Sequence, residues 1–414
     1  MKNSHLLENI FSMVTLRAME YIIAFALVPY LLRALGPAQF GAIAFMQGII
    51  GYFNLFITYG FNMTAPRNIA QAEKKDISAL FSTYFWCMTL LWVTVTALFF
   101  VGYTLLKLIS PFVLDLPLFL AVYTSIIGLV IFPIWYFQGI QQMRYITILN
   151  MIVRFSTTAL IFIFVKSPKD YVLAAFLLSC TPMFAGILSW KIIHDISPGI
   201  LCLPVWTDIK NAFREGWQIF LSTLAINLYT TSDVVILGIF TNNTIVGYYS
   251  GADKLIKCIK KGVGAVNDAV YPYISKVMKE SYERGIHFLR KQLLVYTICG
   301  SIGGITLYIL SPWAIPILLG RQYIPSIGPL QIMAFVPLVV AMSNVMGYET
   351  MLPLGMEKIY SKILIAASVF NLVIIYPLIS WDGANGTALA VLATETFVTC
   401  MMTLILWRKK ILIN

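Results

Sequence analysis

Apolar residues fill this chain in blocks of about twenty, parted by short polar stretches that carry most of the charge. An α-helix rises 1.5 Å per residue, so about twenty residues cross the hydrocarbon core of a bilayer. The blocks predict spans at 9–32, 41–64, 79–106, 116–137, 146–165 and 171–193, and again at 217–240, 247–271, 288–311, 328–348, 359–379 and 386–407. Backbone facing lipid must bond within its own segment or close into a barrel. Barrel strands alternate apolar and polar positions, whereas "ALIFIFV" does not. The pattern predicts an all-α polytopic membrane protein of about twelve helices, with no soluble domain. No small-residue cleavage site is seen at the start, so no removable signal peptide is expected.

Composition agrees: 59% of residues are hydrophobic, mean hydropathy is +0.82, and 11% are charged where soluble domains carry about a quarter. The net charge of +11 has a topological reading. Of 29 Lys and Arg, five fall outside (Arg33, Lys107, Lys166, Lys169, Arg321) when the N-terminus is placed inside. Six more, Arg17, Arg154 and four lysines of one span, lie within spans, which leaves eighteen for the inner face. The positive-inside rule then places both termini in the cytoplasm, and no nucleic-acid partner is needed. The six cysteines are scattered and the three histidines dispersed, so neither a disulfide framework nor a metal site is expected. No phosphate-binding GxxxxGK[ST] loop exists to support ATP hydrolysis.

A shift of 206 residues lays Gly41 on Gly247 and Pro66 on Pro272. It also lays Gln47, Gly51, Asn54, Thr58 and Asn62, one polar stripe at helical spacing, on Asp253, Lys257, Lys260, Gly264 and Asp268. Two six-helix lobes are expected, 1–193 and 217–414, joined by an amphipathic segment 194–216 containing "WTDIKNAFREG". An even number of spans per lobe makes them parallel repeats, the arrangement in which transporters hold substrate near the midplane.

The eighth span, "GADKLIKCIKKGVGAVNDAVYPYIS", is the anomaly. Asp253, Lys254, Lys257, Lys260, Lys261 and Asp268 share an arc of about 120° at 100° per residue. Leu255, Ile256, Ile259, Val263, Val266 and Val270 lie opposite. Four central lysines facing lipid would cost roughly 10–14 kcal/mol, at about 2.5–3.5 each. The six apolar residues return about 2–4 kcal/mol. The lysines are therefore expected to face water or partners. A helix lying on the membrane surface is one alternative, which the charge bias opposes. Structural ion pairing is another, but four lysines against two aspartates leave a surplus of two on this helix. A track rising about 10 Å from Lys254 to Lys261 suits a passing phosphate.

These residues resemble the Wzx-type O-antigen flippases of the polysaccharide transporter branch of the MOP superfamily. The resemblance runs through the opening with its "LGPAQFG" turn, "FPIWYFQGIQQMRYI", and "VGYYSGADKLIKCIKKGVGAVNDAVYPYIS". It implies two six-helix lobes around a central cationic cavity, in the bacterial inner membrane. It further implies outward movement of an undecaprenyl-pyrophosphate-linked oligosaccharide by alternating access, with H+ or Na+ as coupling ion and no other cofactor. Membrane lipids, a glycan polymerase and a chain-length regulator are the partners the resemblance implies. "APRNIA" departs from the usual threonine before that arginine.

On this reading pyrophosphate meets Arg17, Arg154 and Lys254, Lys257, Lys260 and Lys261, since arginine grips phosphate through two bonds. Gln47, Asn54 and Asn62 are the sugar-contacting candidates. Arg17 and Glu20, at i,i+3, form either a structural pair or cavity lining. Asp233 and Lys254 each lie seven residues from the same side of the membrane, which predicts that they touch. Asp233, Asp253, Asp268, Glu20 and Glu395 are the coupling or structural carboxylates, with Glu395 isolated in its span, and Glu349 is expected to be wet. An exporter of small amphipathic solutes is the alternative within the architecture. A membrane glycan polymerase or ligase is disfavoured, because no outer loop offers an acid/base pair.

Overall fold

The computed structural model describes residues 2–109 and 114–411. The side chains of residues 2–18, 20–22, 24, 25, 106, 108, 109 and 269 lie outside that description, those of Arg17 and Glu20 among them. Among the described residues every regular element is helical. Among the described residues eight helices are long and apolar enough to cross a membrane, or nine if one bent pair is a single span. That pair is the seventh expected span. The eighth is absent from the count although it is a continuous helix, because lysines interrupt its apolarity. The chain forms two compact units, Met1–Leu35 with Met46–Leu224 and Gly36–Phe45 with Ala225–Asn414. The sequence had placed the junction within 194–216.

α1 (Lys2–Thr58), which belongs to the first unit except for residues 36–45, merges the first two expected spans across Gly36, whose φ of 74° takes it out of the helix. That left-handed value is open to glycine at little cost, and Pro37 restarts the helix beyond it. Then come α2 (Phe61–Gln71), α3 (Ile77–Ile109), α4 (Leu116–Ile131), α5 (Ile134–Gly139), α6 (Met143–Phe164), α7 (Tyr171–Ser179) and α8 (Thr181–Ile196). Asp115 caps α4 by accepting from Leu118 N at 3.1 Å. Pro133 and Pro182 mark the breaks between α4 and α5 and between α7 and α8, where proline has no N–H to continue a helix. The expected amphipathic connection is not a separate element: α9 (Trp206–Thr230) begins with it and continues as the span.

The second unit contains α10 (Ser232–Phe240), α11 (Asn243–Glu280), α12 (Tyr282–Leu318), α13 (Ile327–Met333) and α14 (Val336–Met346). A π-helical turn, Gly347–Met351, follows, and α15 (Glu357–Arg408) closes the chain. α15 holds the last two expected spans, broken at Asp382 and Gly383. Its core packs Ile274, Leu289, Met346, Met351, Leu364, Met402 and Leu406. α12 leaves most of its apolar length exposed, as a lipid-facing helix does.

The two glycines related by the 206-residue shift meet in this unit. A Cβ on Gly41 would lie 2.6 Å from Gly247 N, and one on Gly247 would lie 2.6 Å from the Pro37 carbonyl carbon. Small residues let helix backbones approach this closely. The "LGPAQFG" turn therefore seats residues 36–45 on the start of α11.

Candidate functional site

The site grows from α11, which Asn242 caps by accepting from Ile245 N at 3.1 Å. From there Asp253, Lys257 and Lys260 recur at i, i+4 and i+7, one face of a helix. Lys257 Nζ pairs with Asp253 Oδ2 at 2.7 Å; the Asp253 side chain is 11% exposed and that of Lys257 49%. Lys260 Nζ pairs with Glu395 Oε1 of α15 at 3.0 Å, their side chains 28% and 11% exposed. Lys254 is half-buried, and Lys261 and Asp268 are exposed.

Beside this stripe is a buried polar cluster. Asp233 of α10 is 3% exposed and accepts from Asn371 Nδ2 at 3.3 Å. Asn371, fully buried, also donates to Thr394 Oγ1 at 3.1 Å. Asn371 precedes the break in α15 and Thr394 follows it, so the cluster joins both halves of that helix to α10. Lys257, Asp253 and Glu395 are electrostatic neighbours of Asp233. Tyr249 stands near Asp253 and Asp233, and Tyr229 near Glu395 and Tyr360.

Five expectations change. The partner the structure gives Asp233 is Asn371 rather than Lys254. Glu395 is not isolated but holds Lys260. The surplus of two lysines counted on α11 disappears once Asp233 and Glu395 are included, since four carboxylates then stand against four lysines. And the apolar side of α11 divides: Ile256 is 2% exposed and packed in the core, whereas Ile259 and Val266 are 42% and 49% exposed. The lysines thus edge a broad exposed face, and do not oppose a single apolar one. Glu349, expected to be wet, is fully buried.

In the other unit Gln47 is half-buried, and Asn54 and Asn62 are exposed. Thr58 donates to Asn54 O at 2.8 Å. Arg154 of α6 is half-buried with its Nε buried and unbonded among the described residues. At the end of α2, Arg67 pairs with Glu215 of α9, and Asn68 Nδ2 donates to Glu215 Oε2 and Tyr84 Oη, both at 2.8 Å. An open hollow of about 400 Å³ lies at the start of α12 between Tyr273, Arg284, His287 and Lys291, away from the stripe. Among the described residues no His, Cys, Asp and Glu gather as metal ligands.

Sequence reasoning missed Asn371 and Thr394. Their signal was present: an amide and a hydroxyl inside apolar spans need partners once desolvated.

The family described as "Polysaccharide biosynthesis protein" matches residues 6–278. A protein of Escherichia coli (strain K12) named "Putative O-antigen transporter" is 30% identical over 409 residues, 98% of each chain. One of the same name from Shigella dysenteriae is 28% identical over 400 residues, 95% of this chain and 98% of the other. The fold is similar to that of the lipid II flippase MurJ in an inward closed conformation, with a TM-score of 0.75 and 12% identity over 97% of this chain and 87% of that one.

Proposed function

Because this chain belongs to the polysaccharide biosynthesis protein family, we propose that it is a flippase for undecaprenyl-pyrophosphate-linked oligosaccharide repeat units in the bacterial inner membrane. The names of its relatives and the flippase-like fold support a lipid-linked glycan as cargo. The observation that carries the reading is Lys257: an ammonium half exposed on a helix inside a membrane bundle, held by a carboxylate of its own helix. A pyrophosphate takes Lys257 by exchanging with Asp253, one anion for another, so the lysine is never left without a counter-charge. An inside-negative potential then favours outward movement of the anionic head by about 2.3 kcal/mol per charge per 100 mV.

Twelve crossings follow if the helices on either side of Gly36 and of Asp382–Gly383 are separate spans, α9 and α10 together form one, and α11 is another. With both termini inside, two lobes alternate access to the cargo. H+ or Na+ couples the cycle at Asp233, Asn371 and Thr394. Turning the Asn371 amide over directs its Oδ1, buried and unbonded in the present orientation, toward Asp233 and Thr394. Three oxygens then surround one point, a donor set suited to a hard cation.

Reconstituted vesicles carrying defined lipid-linked oligosaccharides, assayed for flipping at varied pH and sodium, test both parts. Lys257→Ala removes a charge-assisted contact of about 1.5–3 kcal/mol, or roughly 10- to 150-fold in flipping. Asp233→Asn abolishes the ion dependence. Normal flipping by a well-inserted Lys257→Ala protein, or drug efflux without glycan flipping in the wild type, overturns the proposal.

A further inference from the structure

Away from the stripe, α11, α12 and the π turn after α14 enclose a second set of polar atoms. Asn267 of α11 is 2% exposed and Glu349 of the π turn 0%. They lie in or beside a core of Ile274, Leu289, Val345, Met346 and Met351. Tyr296 of α12 donates to Asn267 Oδ1 at 2.7 Å. Gln292, one turn before it, lies against Tyr296 and Glu349. Yet both Glu349 oxygens, both Gln292 amide atoms and Asn267 Nδ2 are buried without a well-formed hydrogen bond among the described residues. Native proteins carry few such orphans, and each calls for an explanation.

The backbone at Glu349 is itself unusual. Leu352 N bonds Gly347 O at 3.2 Å, a reach of five residues, and single π turns of this kind concentrate at functional sites. The turn aims a carboxyl group into the apolar interior instead of the membrane border where the sequence placed it.

Counting donors and acceptors identifies the missing component. An ionised Glu349 offers only acceptors. Gln292 Nε2 can serve one of them, which leaves Gln292 Oε1 without a donor. A carboxylic acid changes the balance: its O–H donates to Gln292 Oε1 while its carbonyl oxygen accepts from Nε2. One planar acid–amide pair then employs four of the five orphaned atoms, the fifth being Asn267 Nδ2. We infer that Glu349 and Gln292 form a proton-binding site, separate from the stripe and from the Asp233 cluster. Asn267 is ten residues beyond Lys257, about 15 Å of helix rise. The proton ties the π turn to α12; its departure leaves a carboxylate with one amide donor in an apolar core.

The titratable neighbours come from every packed element except α14, whose sequence contributes none. Tyr296 of α12 and Tyr348 of the π turn face Glu349, and Asp268 and Tyr271 of α11 face Tyr348, with Tyr271 stacked on it at 4.3 Å between centroids. Tyr360 of α15 stands against Gly347.

Infrared spectroscopy of the full-length protein in lipid nanodiscs, with 13C-labelled glutamate, tests the inference. A protonated-carboxyl carbonyl band is expected at neutral pH, with or without sodium. Glu349→Gln removes that band, Glu349→Asp moves it out of the labelled set, and Gln292→Leu shifts its frequency by removing the amide partner. Only ionised-carboxylate bands for Glu349 would overturn the inference. So would a protonated band that emerges only when sodium is withdrawn, which would assign the site to a metal cation.

Discussion

Lys260 and Glu395 are 135 residues apart and meet at 3.0 Å, and the two ends of this pair should respond unequally to truncation. Lys260→Met leaves the Glu395 carboxylate, on an 11% exposed side chain, without its lysine. Breaking a buried pair from one side costs 3–5 kcal/mol, because the remaining charge is stranded. The lysine end is 28% exposed, so the lower limit applies and Lys260→Met should cost about 3 kcal/mol. Glu395→Gln strands less. The amide oxygen still accepts from Nζ, and the flexible lysine can turn toward its exposed edge, so a neutral-for-charged hydrogen-bond loss of about 1 kcal/mol is expected. The double variant removes both charges and should cost about 1–2 kcal/mol, which leaves a coupling of roughly 2–3 kcal/mol, inside the range for residues in contact. Reversible unfolding in mixed SDS micelles, followed by tryptophan fluorescence, measures all four proteins. Equal costs for the two single variants, or a double variant equal to their sum, would refute the reading of Glu395 as a buried anion held by Lys260.

Three further outcomes follow from the same geometry. Gly247→Ala places a carbon 2.6 Å from the Pro37 carbonyl carbon, about 1 Å inside normal contact, so it should destabilise by about 1–3 kcal/mol. Gly262→Ala, where nothing stands within 4 Å, should be neutral or stabilising in the same unfolding assay, and equal behaviour of the two would sink the close-approach argument. Glu215→Ala should shift stability by less than about 1 kcal/mol, because Arg67 is 53% exposed and such pairs are weak. Asn371→Leu removes the amide between Asp233 and Thr394 and should cost at least 1–3 kcal/mol by leaving a buried carboxylate without its donor; restoration of stability by adding Asp233→Leu, measured by thermal unfolding in detergent, checks that the carboxylate is the cause.

The helices were legible because a bilayer imposes length and apolarity on each segment separately, so blocks such as 146–165 could be read one at a time. The 206-residue shift paired Gly41 with Gly247 as equivalent positions; that they also touch, where neither has a Cβ, emerged only from the packing. What periodicity could not reach is the opposite wall. It assigns Lys260 to a face of α11 but says nothing about which carboxylate another helix brings to that face. Asp233 and Asn371, 138 residues apart, become neighbours only after packing. The excess positive charge counted on one helix was therefore a property of the counting window. Glu349 fails for a related reason: distance from a span end predicts wetting only if the helix ends where its apolar block does, and the π turn extends the interior past that point. These two failures point the same way. Charge on the stripe is balanced between helices, Lys260 with Glu395, as well as along one, Lys257 with Asp253, so an anion that engages either lysine must displace a carboxylate, and the displaced group must find a proton, a cation or another lysine. On the proposed function, anion binding and the state of the carboxylates are thereby coupled by electroneutrality alone.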